Sequence, residues 1–178
     1  MRLGIALLRA VIGALFMGHG LQKLMGWFGG HGLEATGGMF EQIGLRPGKV
    51  HATAAGAAET TGGALLVAGA ATPLAAAMLT AVQTPAVEKV HLQKGVWNQD
   101  GGFEYNLVLA TALFAITAAG PGALALDSER AGLGWAFAEL TAGVAGGLAV
   151  AKLATRPPEE ATQRFQREEQ PAEAPATA

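Results

Sequence analysis

Long apolar stretches, broken at intervals by Gly, Pro and short polar runs, fill the chain as far as about residue 153 and then stop. A bilayer core of ~30 Å takes about 20 mostly apolar residues per helix. That length predicts spans at Leu3–Met25, Val50–Ala71, Pro73–His91, Glu104–Ala119 and Ala131–Leu153. Thr72-Pro73 offers an N-cap followed by proline at the first helical position, so the second and third spans form a tight hairpin. Pro85 is expected to bend the third span locally. Asn98-Gln99-Asp100-Gly101-Gly102 is a turn ahead of the fourth span, and Gly120-Pro121-Gly122 stops it.

The connection from Gly26 to Lys49 exceeds a simple hairpin. Within it Leu33, Phe40, Ile43 and Leu45 supply a short apolar face for the bundle or the interface. Trp27 and Phe28 stand where an aromatic belt is expected. Gly62-Gly63 and the GxxxG pair Gly143 and Gly147 are small residues of the kind that let helices approach closely in lipid. The N-terminal run carries Arg9, is longer than a signal-peptide core and ends in Gly26-Trp27-Phe28-Gly29-Gly30 without a small-residue cleavage site, so it reads as a first membrane helix. From Arg156 onward, paired prolines, Glu pairs and Pro/Ala repeats leave too little apolar surface to pack. The expected organisation is one all-α domain over 1–155, a polytopic membrane four-helix bundle with a fifth transmembrane helix, and a disordered tail over 156–178.

Composition sharpens this. The chain has 178 residues, 51% apolar and 15% charged, away from ordinary soluble proportions. A net charge of −2, with no basic stripe, leaves no footprint for nucleic acid. There is no cysteine, so disulfides, thiolate ligands and thiol redox chemistry by this chain are excluded. Arg46, Lys49, Lys89 and Lys94 lie at the end that carries the first and third loops, joined by Lys152 and Arg156 if the fifth span crosses. Arg2 and Arg130 lie at the other, and the positive-inside rule then puts loops one and three in the cytoplasm.

One acidic residue interrupts the second span. A carboxyl inside a membrane is expensive, tends to face the bundle interior and marks a site, so the question is what Glu59 meets. His19 and Lys23 share a face at i, i+4 near the end of the first helix and are its simplest partners, as a structural pair or as a functional one. Antiparallel threading brings His51, Gln83, Glu88, His91, Glu104, Tyr105 and Asn106 to the same end, leaving the other half nearly all Ala, Val, Leu and Gly. That asymmetry predicts a polar pocket opening to one membrane face. Each member also has a plainer reading: Lys23 snorkels, His51 and His91 are interfacial, Glu104 is a helix-start charge, and Trp97 is an interface anchor. Arg9 either snorkels at the far end or pairs with Glu139 of the fifth span. His19, Glu59, His91 and Glu104 are metal-ligand types but lack an HExxH-like spacing, and no metal is assigned. P-loop, dinucleotide and G-x-S-x-G motifs are absent.

Arg9–Leu33, with its GHGLQK run, the later AAETTGGALLVAG and GGFEYNLVLATALFAITAAGPGALALD resemble the DoxX family of small bacterial membrane proteins over about Leu3–Asp127. The resemblance implies a four-helix bundle in the bacterial inner (plasma) membrane and a link to quinone-reducing oxidoreductase assemblies. Matched positions are His19, Lys23, Glu59, Glu104, Tyr105 and Asn106. The fifth apolar segment departs from the four-helix pattern. Three readings follow. The first is a quinone-linked redox component with Glu59, His19 and Lys23 as catalytic groups and Glu104, Tyr105, Asn106, Gln83 and His91 binding the ligand. The second is a non-catalytic scaffold for an oxidoreductase partner subunit or a second copy of the chain. The third is a binder or transporter of lipid or a small apolar ligand.

Overall fold

A computed structural model describes residues 2–126 and 131–154; the tail expectation falls outside them. The described residues are all-α, without strands. The helices are α1 (Arg2–Met25), α2 (Gly32–Gln42), α3 (Gly48–Ala68), α4 (Thr72–Ala86), α5 (Glu104–Ala119) and α6 (Leu133–Leu153). Two of them, α1 and α6, are long and apolar enough to cross a membrane, with mean hydropathy 1.6 and 1.4. The 16-residue α5 is apolar but shorter, and α3 reaches 21 residues with a polar stretch through its middle.

Contacts run around a ring: α1 on α3, α3 on α4, α4 on α5, α5 on α1. The sixth helix lies outside this ring against α4 and α5, and α2 lies against α3 and α1. Chain direction puts the C-termini of α1 and α4 and the N-termini of α3 and α5 at one end, called here the near end. The far end is tied by backbone hydrogen bonds from Ala123 N to Arg2 O, Leu126 N to Ala68 O and Gly132 N to Thr117 O. The end of α6 returns to the near end, where Arg46 N donates to Ala154 O at 3.2 Å.

Glycine sets the tightest seam. A Cβ on Gly13 would meet Gly63 O at 2.6 Å, and one on Gly20 would meet Gly56 O at 2.6 Å. Bare backbone on both helices therefore lets α1 and α3 touch main chain to main chain, as small residues do in lipid-adapted packing. The same device recurs between α4 and α6, where Gly143 abuts Thr80 and Gly147 abuts Thr84. Ile12, Phe16, Leu66, Ala75, Leu79, Leu109, Leu113 and Ile116 form the buried apolar core. Outward, Leu3, Leu7, Val11 and Leu15 make an exposed i, i+4 stripe along α1.

One local feature differs from the sequence reading, and two others extend it. The hairpin between α3 and α4 is tight, but its N-cap is Ala71 in the left-handed region, and Thr72 caps nothing. Pro73 does occupy the first helical turn. The third span is not one regular helix: past Pro85, which has no N–H to donate, it widens into a π-helical turn at Val87–His91. The long first connection folds as α2, which lays Gly37 against Lys49 of α3 and leaves Leu45 buried.

Candidate functional site

The α1–α3 seam positions the central pair. Because the glycines bring the two axes close, the Lys23 ammonium reaches across to Glu59, and Nζ donates to Oε2 at 2.6 Å. Glu59 sits about 16 Å along α3 from Gly48 at ~1.5 Å per residue. Its side chain is 7% exposed and that of Lys23 is 24% exposed, so the carboxylate is enclosed while the ammonium keeps an open flank. The ammonium also donates weakly to His19 O at 3.5 Å. His19 does not bond the carboxylate: its Nδ1 pairs with Gln22 Oε1 at 3.0 Å, and Gln22 donates in turn to Phe28 O at 3.2 Å. Gln22 is a residue the sequence reading did not single out; it lies at i+3 from His19, the spacing that signals such a neighbour.

A second group lies between α4 and α5. Asn106 Nδ2 donates to Gln83 Oε1 at 3.5 Å, with Gln83 buried. Glu104 accepts from Asn98 N at 2.9 Å, which ties the start of α5 to the preceding turn. His91 Nδ1 pairs with Gly101 O at 2.7 Å, pinning the same connection from the end of the widened turn. Glu88 faces Lys89 at 3.7 Å. The Tyr105 side chain is exposed, and His51 Nε2 lies 3.3 Å from Arg46 O. All these residues stand in the near half. They do not meet as one constellation: Lys23 and Glu59 form one centre, Gln83 and Asn106 another, and Glu104 and His91 brace a loop. Among the described residues no three His, Asp or Glu side chains gather to hold a metal ion.

Arg9 takes neither of the roles read from sequence. Its guanidinium donates to Leu66 O at 3.0 Å, Val67 O at 2.8 Å, Ala123 O at 3.3 Å and Leu124 O at 3.3 Å. It therefore caps the C-terminus of α3, whose last carbonyls lack helical partners, and binds the 123–124 strap to it. Glu139 is buried elsewhere, in the α4–α6 seam.

An all-α chain with two long apolar helices, leucines facing outward and an ion pair enclosed between helices has the character of a helical membrane protein. The DoxX family model matches residues 4–92, half of the chain, and the chain belongs to the DoxX family. No curated protein and no solved structure matches it.

Proposed function

We propose that this chain is a multi-pass protein of the bacterial inner membrane, with α1, α3, α4 and α5 as a four-helix core and α6 as a fifth crossing, and that it serves a membrane oxidoreductase system as its quinone-linked component. One observation carries the reading: a lysine–glutamate pair buried within a glycine-lined helix seam, with the ammonium open on one side. Such a pair adds little net stability over apolar packing, because desolvation offsets most of its Coulomb attraction. A costly pair of this kind therefore favours a role beyond holding helices together.

A quinone headgroup offers two carbonyl oxygens at the membrane boundary and takes up protons when reduced. Lys23 supplies a cation for a developing anionic oxygen, and Glu59 supplies a carboxyl that can hold or release a proton beside it. His19, bonded to Gln22 and next to Lys23, orients the open flank. Gln83 and Asn106 supply amide groups nearer α5 for the rest of a ligand. The exposed stripe of α1 places lipid, where quinones dissolve, against the outside of this helix.

Ubiquinone-1 titrated against the purified protein in nanodiscs tests this. Saturable binding that Lys23→Met weakens at least tenfold, with the variant still monodisperse and helical, supports it. Absence of saturable binding up to the solubility limit excludes it. A stoichiometric co-purifying partner, with function unchanged in the Glu59→Gln, Lys23→Met double variant, would instead establish the scaffold reading.

A further inference from the structure

Buried polar atoms without a hydrogen-bond partner are costly and call for an explanation. Among the described residues most of them fall on α4, α5 and α6. Thr72 Oγ1, Thr80 Oγ1 and Gln83 Nε2 lie on α4, Thr117 Oγ1 on α5, and both carboxylate oxygens of Glu139 on α6. Each of these side chains is more than nine-tenths buried, Glu139 at 3%. Glu139, Gly143 and Gly147 are spaced i, i+4, i+8, and the two glycines press directly on Thr80 and Thr84 of α4, so Glu139 belongs to the same seam. Thr80, which Gly143 presses, therefore lies one helical turn from Glu139 along this seam.

On α4, Thr72, Thr80 and Gln83 are spaced i, i+8, i+11 and so follow one face of the helix. Thr72 to Gln83 covers about 16 Å of α4 at ~1.5 Å per residue. At the far end, Thr117 stands two residues from Ala119, which with Arg2, Ile5, Gly120, Pro121, Gly122 and Ala131 lines a cavity of about 180 Å³. At the near end, Gln83 meets Asn106 in the first turn of α5. Thr84 is not one of these groups, since its hydroxyl bonds back to Thr80 O at 2.9 Å.

Among the described residues no counter-charge accounts for Glu139. Along Thr72–Ala86 α4 carries no ionisable side chain. Glu104 and Tyr105 of α5, Lys152 of α6, and Glu88, Lys89 and His91 of the widened turn all belong to the near end. Arg9 of α1 directs its amino groups to four carbonyls. A dehydrated cation needs five or six oxygens, whereas the helix carbonyls here are engaged in their own ladders. Hydroxyls and water both accept and donate, so each can receive one proton and release another.

We propose that the α4–α6 seam is a proton path through the bundle, running from the far-end cavity to the Gln83–Asn106 contact, with Glu139 as its internal proton-exchanging carboxyl. A hydronium ion on one side transfers a proton to the Glu139 carboxylate, leaving water. The resulting carboxylic acid passes that proton, through the Thr80 hydroxyl or an adjacent water, toward Gln83 and on to water at the near end, which restores the carboxylate. No electron moves. The inference does not rest on quinone binding at Lys23.

The full-length protein reconstituted in liposomes holding a pH-sensitive dye, under a valinomycin-set potassium potential, tests it. Proton flux above that of protein-free liposomes is expected. Glu139→Gln should reduce it to the protein-free level, and Glu139→Asp should restore part of it. Thr80→Val should lower it several-fold where Thr80→Ser does not, each variant eluting as the parent does. Wild-type flux equal to protein-free liposomes overturns the proposal. So does full flux in Glu139→Gln, or flux that needs sodium and disappears when choline replaces it.

Discussion

At Lys23 and Glu59 a charge pair joins an enclosed carboxylate to an ammonium with one open flank. Removing one leaves a buried ion without its partner, which costs more than the pair itself contributes. Glu59→Leu should lower stability by about 2–3 kcal/mol, below the cost of a fully enclosed pair because the ammonium keeps an open flank. Adding Lys23→Met should recover most of that loss in reversible unfolding from mixed detergent. A double variant as unstable as the single one would show that Glu59 has another essential partner. Arg9 obeys different physics, since its partners are main-chain carbonyls. Arg9→Leu should cost about 2 kcal/mol, the scale of a charge-assisted hydrogen bond withdrawn from buried acceptors. Arg9→Lys should restore only part of it in the same assay, because an ammonium cannot fork between two pairs of carbonyls as a guanidinium does.

Between elements, close approach decides what the side chains can reach. Gly20 and Gly18 both lie on α1, two residues apart, yet only Gly20 faces backbone across the seam. Gly20→Ala should destabilise by about 1–3 kcal/mol and lengthen the Lys23–Glu59 contact, because its Cβ has nowhere to go. Gly18→Ala meets nothing within 4 Å and should be neutral or slightly stabilising, as alanine is the better helix former. Equal effects of the two in thermal unfolding would remove the seam as the cause. The widened turn after Pro85 acts at the same scale, since the change of helical phase is what delivers His91 to Gly101 O.

For the molecule as a whole, the arrangement of ends is the testable quantity. The chain has no cysteine, so single-cysteine variants report cleanly. Lys49→Cys and Lys94→Cys stand at the near end and should react with an impermeant maleimide from the cytoplasmic side. Leu126→Cys, exposed at the far end, should react only from the opposite side. Labelling of all three from one side would refute the crossing of α5. The outward leucines of α1 and the small buried residues inside fit a lipid solvent better than water, since apolar surface there needs no partner.

Sequence alone determined the helical class, the breaks at Gly120–Gly122 and at Thr72-Pro73, and the family, and it narrowed the partners of Glu59 to Lys23 or His19. These depend on periodicity, turn chemistry and the high cost of a lone carboxyl, all of which are local or one-dimensional. Tertiary structure decided which polar residues meet. Chain direction places His19, Glu59, Gln83, His91, Glu104 and Asn106 at one end, but rotation about each helix axis sends them to different neighbours. That rotation is set by where glycine permits contact, at Gly13, Gly20, Gly143 and Gly147. For the same reason Arg9 turned to the carbonyls of α3, and Glu139 lies buried in the α4–α6 seam away from it. Helix phase depends on the sum of many close packings, and a linear pattern of residues carries no term for it.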